Sequence, residues 1–331
     1  MTSLLEIRDL AIDIKTATGW RPLVHSLSLS LNRSGALGLV GESGSGKSVS
    51  TRAVMRLAPE HSRVNGTVVY DGEDVNTMNR GRLREYRSRQ VAMIHQDPRS
   101  HINPLRTVGD FLTEGVRHLP RGERRELAVS ALADVGIPDG RRRMDQYPHQ
   151  LSGGLLQRVM IAAAVMTGPK LLLADEPTTA LDVTTQSEVM AVLGEAREQH
   201  ELALLFITHD LELAAAVTDR LAVMYAGTIM EEGPTAAVSR APQHPYTIGL
   251  LASQPNVRGA RRERLTPIPG RPTAAHESGP GCPFAGRCLF AEDHCRTERP
   301  APRLLGESLV RCHRAEDPEI RQAAARIQEE S

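Results

Sequence analysis

Hydrophobic and polar positions are arranged in two ways along the first 235 residues or so. Leu4–Ile7 and the alternation within Leu27–Leu31 read as early strands, because every second side chain faces the same way in a strand. Ala36–Val40 is an unbroken apolar run that ends on glycine, and a helix-like stretch starts at Lys47. Val64–Tyr70, Val91–Ile94, Leu171–Ala174, Leu202–Ile207 and Leu221–Met224 read as further strands. Between them Glu123–Val135, Leu155–Met166 and Thr184–Gln199 carry helical spacing. Strands alternating with helices predict an α/β domain over residues 1–235 with a largely parallel core. Beyond it the pattern breaks, and eleven of the 21 prolines lie from Pro242 onward. Proline removes an amide donor and fixes φ, so residues 236–331 are expected to form an irregular extension with one short helix near Glu319–Glu329.

Composition narrows the function classes. The 331 residues hold 40 basic and 40 acidic side chains, which excludes a chain-wide basic bias toward nucleic acid or anionic lipid. With 40% hydrophobic and 24% charged residues the mixture is globular. Only Lys15, Lys47 and Lys170 are lysines, a skew that reflects base composition more simply than function. The most apolar runs, Val159–Met166 and Leu202–Ile207, fall short of the roughly 20 residues that span a bilayer. The first residues lack a signal-peptide design, so a soluble intracellular chain is expected, reaching any membrane through partners. All four cysteines, Cys282, Cys288, Cys295 and Cys312, sit in the extension, where a cytosolic setting argues against disulfides.

Two motifs carry chemistry. Gly41-Glu-Ser43-Gly44-Ser45-Gly46-Lys47-Ser48 fits G-x-x-x-x-G-K-[ST], follows an apolar strand and opens a helix. Glycines let successive N–H groups turn toward phosphate oxygens, Lys47 would reach the β- and γ-phosphates, and Ser48 would ligate Mg²⁺. Leu171–Glu176 is an apolar strand ending in two carboxylates. Asp175 is suited to the Mg²⁺ shell and Glu176 to polarising an attacking water.

Leu151-Ser152-Gly153-Gly154-Leu-Leu-Gln157-Arg158 resembles the signature motif of ABC-transporter ATPases, with Leu155 where the family usually has glutamine. Gln96 in Ile-His-Gln-Asp-Pro is similar to the family's Q-loop, and Asp182 stands at the D-loop distance from Glu176. His209 in Thr-His-Asp closes an apolar strand as the family's switch histidine does. The resemblance covers residues 3–235 and implies a P-loop ABC ATPase domain, a mixed sheet core with a helical subdomain at about 97–168. It further implies ATP and Mg²⁺ as ligands, with Gln96 joining Ser48 and Asp175 around the metal and His209 sensing the γ-phosphate. ATP would be clamped between the phosphate loop of one subunit and the Ser152–Gly154 helix of another. The family's adenine-stacking aromatic aligns nearer Ile14, with Trp20 in the neighbourhood.

Gln243-His-Pro-Tyr-Thr247, the cysteine-containing tail and Asp97–Pro104 resemble the dipeptide/oligopeptide/nickel importer branch. That resemblance implies a second ATPase subunit, usually a different chain, two transmembrane permease subunits and an extracellular solute-binding protein, with the ATPase peripheral at the cytoplasmic face. Peptides are favoured over nickel or another small solute as cargo on resemblance alone. A soluble ABC protein of DNA repair or translation is the competing class, but the coiled-coil insertions or tandem cassettes usual there are not seen. The cysteines are spaced C-x5-C-x6-C-x16-C, neither a zinc ribbon nor a standard ferredoxin run. Four thiolates suit Zn²⁺ or iron–sulfur, and resemblance to the peptide-importer tail favours a [4Fe–4S] cluster, then Zn²⁺, then free thiols.

Overall fold

The computed structural model describes residues 3–179, 181–254 and 267–329. It opens with two 14-residue strands, β1 (Ser3–Thr16) and β2 (Gly19–Asn32). They outrun the apolar stretches that betray them in the sequence because their outer faces are polar. Leu27, Leu29 and Leu31 are buried while Ser28 between them is exposed. Next come β3 (Ala36–Val40), α1 (Lys47–Val54), β4 (Ser62–Tyr70), the short β5 (Glu73–Asp74) and α2 (Arg80–Glu85). The helix-rich middle comprises β6 (Val91–Ile94), α3 (Pro98–His101), α4 (Val108–Glu114), α5 (Arg121–Asp134), α6 (Gly140–Arg143) and α7 (Gly153–Val165). Then follow β7 (Leu171–Asp175), α8 (Val183–Gln199), β8 (Ala203–Thr208), α9 (Leu211–Val217), β9 (Arg220–Tyr225) and β10 (Thr228–Pro234). The C-terminal region adds α10 (Thr235–Arg240), α11 (Pro245–Ser253), α12 (Asp293–Thr297), the hairpin β11 (Arg303–Leu305) and β12 (Ser308–Val310), and α13 (Pro318–Glu329).

The chain divides into two compact units. One contains Leu31–Ala36 and Asp71–Phe206. Here β6 runs parallel to β7, and every residue of β7 is buried, as expected of a strand covered on both faces. Its helices start on designed caps. Thr107 and Asp110 form a capping box on α4, Ser152 accepts the Leu155 N–H at the start of α7, and Asp182 accepts the Thr185 N–H at the start of α8.

The other unit contains Leu5–Ser30, Leu37–Tyr70 and the described residues from Ile207 onward. Its strands lie in the order β4-β1-β2-β10-β9-β3, with β3 parallel to β9 and β10 antiparallel to β9. The extension is built into this sheet. β12 pairs with β10, setting Glu231 opposite Val310 and Glu232 opposite Leu309. α13 matches the expected helix near 319–329, whereas α11 and the hairpin arise where the proline count suggested irregular chain. Pro245 causes no conflict with α11, because it occupies the first turn, where no amide donor is required. Trp20, at the start of β2, is 44% exposed beneath the Arg63 guanidinium and Ile14 lies within β1, so Trp20 is a surface residue of the hairpin. Among the described residues no helix is long and apolar enough to cross a membrane.

Candidate functional site

The phosphate loop connects β3 to α1 as its spacing requires. Gly41 has φ +159°, and a Cβ there would overlap the Met224 carbonyl oxygen of β9, so only glycine fits between strand and loop. Lys47 is 4% exposed, and its Nζ donates to the carbonyl oxygens of Gly41 at 2.6 Å and Glu42 at 3.0 Å. The ammonium is thereby held over the loop's own backbone. Ser45 is buried and ties the loop to the β9–β10 turn by accepting the Gly227 N–H on its carbonyl at 2.8 Å. Ser43 and Gly44 are exposed at the tip, and Ser48 is half-buried in the first turn of α1. A helix N-terminus with no acidic residue in its first turn suits an anion.

Glu42 is gripped by the extension. The Glu42 N–H donates to the Tyr246 hydroxyl at 2.9 Å. The Arg287 guanidinium donates to both Glu42 carboxylate oxygens, at 2.5 and 3.1 Å, and through Nε to the Pro269 carbonyl at 2.7 Å. Tyr225, Tyr246 and Phe284 pack edge-on or tilted around this pair, with ring centroids 4.7–5.3 Å apart. Sequence reasoning singled out Tyr246 only as part of a family mark and missed Arg287, whose partner lies 245 residues away. Beneath them Glu231 is fully buried and accepts the N–H groups of Gln243 and His244. Burial pushes its carboxyl up to about 7 against those stabilising bonds.

His209 and Asp210 follow β8 in the same unit. His209 is exposed, and Asp210 caps α9 while also accepting from Gln254 Nε2 at 3.3 Å.

The second group of candidate residues belongs to the helix-rich unit. Asp175, the last residue of β7, is buried, and Glu176 follows with φ +47°, a left-handed conformation that costs a non-glycine residue about 1–3 kcal/mol. Its Oε2 accepts from Gln96 Nε2 at 3.1 Å and from Thr179 Oγ1 at 3.0 Å. Gln96 and Glu176, 80 residues apart in sequence, are thus brought together. Ser152 is exposed at the start of α7. Its oxygen accepts from Leu155 N–H, which leaves its own proton to donate outward. A Cβ at Gly154 would overlap the Thr185 side chain of α8, so this glycine serves helix packing as well as its amide. Gln157 points inward and is buried. Asp182 is exposed, and the Thr185 amide and hydroxyl hold its carboxyl below the usual range.

All four cysteines are free and line one small cavity, with Phe284 and Phe290 among its walls. Burial first, and then the neighbouring thiols, push Cys282 up to about 12 and Cys312 up to about 11. Among the described residues no group of three or more His, Cys, Asp or Glu is arranged to hold a metal ion as it stands. The donor chemistry fits a thiophilic metal or cluster, since four free thiols face a common space. His294 and His313 stack edge to face at 4.8 Å, and His313 also lines the cavity.

Comparison with known proteins decides the family. The ABC transporter family matches residues 24–179, and the oligopeptide/dipeptide transporter C-terminal region matches residues 230–295. The oligopeptide transport ATP-binding protein OppD of Haemophilus influenzae is 41% identical over 308 residues, covering 92% of this chain and 94% of that protein. The chain belongs to the ABC-transporter ATPases. The dipeptide transport ATP-binding protein DppD of Escherichia coli is 41% identical over 94% of this ABC ATPase and 96% of its own length. A Brucella abortus relative, whose name provisionally assigns it to peptide import, is 44% identical over 93% of the chain. In fold, the ABC ATPase is similar to the ATP-binding cassette MJ0796, solved as a dimer in a post-hydrolysis state with ADP and phosphate. The TM-score is 0.63 at 24% identity, over 70% of this chain and 98% of that one. This ABC ATPase is accordingly an ATP-hydrolysing transport subunit.

Proposed function

We propose that the chain hydrolyses ATP to drive uptake of peptides. Hydrolysis would take place between its phosphate loop and the Ser152–Gly154 helix of a second ATPase subunit. The observation that carries this reading is the loop itself, in which Lys47 Nζ stands over the Gly41 and Glu42 carbonyls at the N-terminus of a helix. Lys47 and the loop amides would bind the β- and γ-phosphates, and Ser48, Gln96 and Asp175 would surround Mg²⁺. Glu176 would accept a proton from the attacking water, while His209 would sense the γ-phosphate. Ser152, Gly153 and Gly154 would donate to the γ-phosphate of the facing subunit, and Asp182 would stand at the interface between them. The bond from Gln96 to Glu176 supports a link between metal site and base, since moving either side chain breaks a contact of the other.

Two permease subunits, a second ATPase chain different from this one and an extracellular solute-binding protein complete the assembly, with this subunit peripheral at the cytoplasmic face. Peptide cargo follows the names of the relatives. The cysteine quartet would hold a [4Fe–4S] cluster through Cys282, Cys288, Cys295 and Cys312, cross-linking the extension. Anaerobic purification with iron, sulfide and zinc analysis tests this: four irons and four sulfides per chain are expected, whereas zinc or no metal refutes the cluster. The transport reading is tested in the reconstituted complex. ATPase activity should rise with peptide-loaded binding protein; a response to nickel alone would reassign the cargo, and no coupling to either would refute an importer of these solutes.

A further inference from the structure

We propose that Arg287 and Tyr246 are positioning residues for the phosphate loop: by fixing Glu42 they set where the Lys47 ammonium stands. The proposal rests on the reading of Gly41–Ser48 as the phosphate site and deepens it by giving the C-terminal extension a task in nucleotide binding.

Every polar group of Glu42 is engaged. Its N–H goes to the Tyr246 hydroxyl, its two carboxylate oxygens go to Arg287, and its carbonyl accepts Lys47 Nζ and the Ser45 N–H. Glu42 is therefore the joint between extension and ammonium. The joint is stiff on the extension side. Arg287 is 7% exposed, its Nε is fixed by the Pro269 carbonyl, and Nη1 also reaches the Tyr225 hydroxyl at 3.4 Å. Tyr225 is itself tied on both sides of its oxygen, donating to Thr273 Oγ1 at 3.1 Å and accepting the Thr273 N–H at 3.0 Å. A planar guanidinium fork bound to both carboxylate oxygens fixes orientation as well as distance.

A loop with glycines at positions 41, 44 and 46 has wide conformational freedom, and ordering it around a phosphate costs entropy. Pinning its second residue beforehand removes part of that cost and shows as tighter binding. Tyr246 belongs to α11, while Arg287 directly precedes Cys288 of the cysteine cavity. Two separate stretches of the extension thus converge on one loop residue. If the pair served only to dock the extension, breaking it would lower stability and leave nucleotide affinity alone.

The test uses the full-length protein, with MgADP affinity measured by calorimetry and folding followed by circular dichroism and thermal melting. Arg287→Met is expected to weaken MgADP binding about tenfold, in the range of removing a charge-assisted hydrogen bond. Arg287→Lys keeps the charge without the fork and should restore only part of the affinity. Tyr246→Phe keeps the ring and should weaken binding about threefold. In an E42Q background Arg287→Met should have little further effect, because the two act through one contact. A folded Arg287→Met protein that binds MgADP within twofold of wild type overturns the proposal. So does an equal loss of affinity in the wild-type and E42Q backgrounds. If Arg287→Met fails to fold, Tyr246→Phe decides, and unchanged affinity there is equally fatal. Lys47→Ala serves as control: unaltered MgADP binding by that variant would overturn the phosphate-site reading itself, and the joint with it.

Discussion

The phosphate loop and the carboxylate corner at the end of β7 are both held by hydrogen bonds, but of opposite kinds. Glu42 is fixed by a buried guanidinium fork and a tyrosine hydroxyl inside an aromatic cluster. Glu176 is held by a neutral amide from the exposed Gln96 and a neutral hydroxyl from Thr179. A charge-assisted, desolvated pair is costly to break, whereas neutral bonds at an exposed edge exchange cheaply with water. On the proposed function, this division would suit a loop that grips phosphate in a set geometry and a base that reorients during each cycle. The left-handed φ of Glu176 also lies on this side, and it stores about 1–3 kcal/mol of backbone strain there.

The largest expected effect tests the rigid side. Lys47→Ala should weaken nucleotide binding by roughly a hundredfold or more and abolish turnover while the fold survives, since no other charge in the loop replaces the ammonium. Equilibrium nucleotide binding and steady-state ATPase activity check this, and wild-type turnover would contradict it. Next, Glu176→Gln should keep nucleotide affinity and lower hydrolysis by about 10²–10⁴-fold, the usual range for losing a general base. His209→Ala should lower hydrolysis in the same direction. Loss of ATP binding by Glu176→Gln would mean that the carboxylate grips rather than acts.

The rigid side also carries a proton. Glu231 anchors the backbone leading into α11, and its carboxyl titrates near 7 when folded against an ordinary value of 4.5. Between these values the folded chain holds a proton that the unfolded chain has released, so its contribution is full below about 4.5 and lost as pH rises through about 7. The size is about 3 kcal/mol. Denaturant titrations across that window should show the decline, and Glu231→Gln should flatten it; an unchanged slope would count against the assignment. The smallest effect lies on the adjustable side: Gln96→Ala, which removes one proposed Mg²⁺ ligand and one bond to Glu176, should reduce ATPase activity about tenfold and weaken MgADP binding by no more than about threefold, and a far larger affinity loss would show that Gln96 chiefly grips nucleotide.

What the sequence disclosed follows from the range of the forces involved. Fully buried strands such as β3, β7 and β8 announce themselves as apolar runs, and the loop that follows β3 is legible from local spacing. β10 escaped because Thr228-Ile-Met-Glu-Glu-Gly-Pro carries two glutamates, which read as solvent-facing. Both are in fact buried, Glu231 accepting two amides and Glu232 pairing with Arg220. α11 was hidden by its own proline, a residue that breaks helices except in the first turn, where it stands here. At the site, Gln96, Glu176 and the loop were found by motif. Arg287 carries no local signature, because an ion pair across 245 residues leaves no periodicity to read.

That separation has a consequence for biosynthesis. Glu42 leaves the ribosome 245 residues before Arg287. At roughly 5–20 residues per second, the loop waits about 12–50 s for the guanidinium that secures it. During that interval the β3–α1 segment exists without its guanidinium fastening. Ribosome-arrested chains of increasing length should acquire tight nucleotide retention in a late step, once Arg287 has cleared the exit tunnel, rather than when the loop itself emerges.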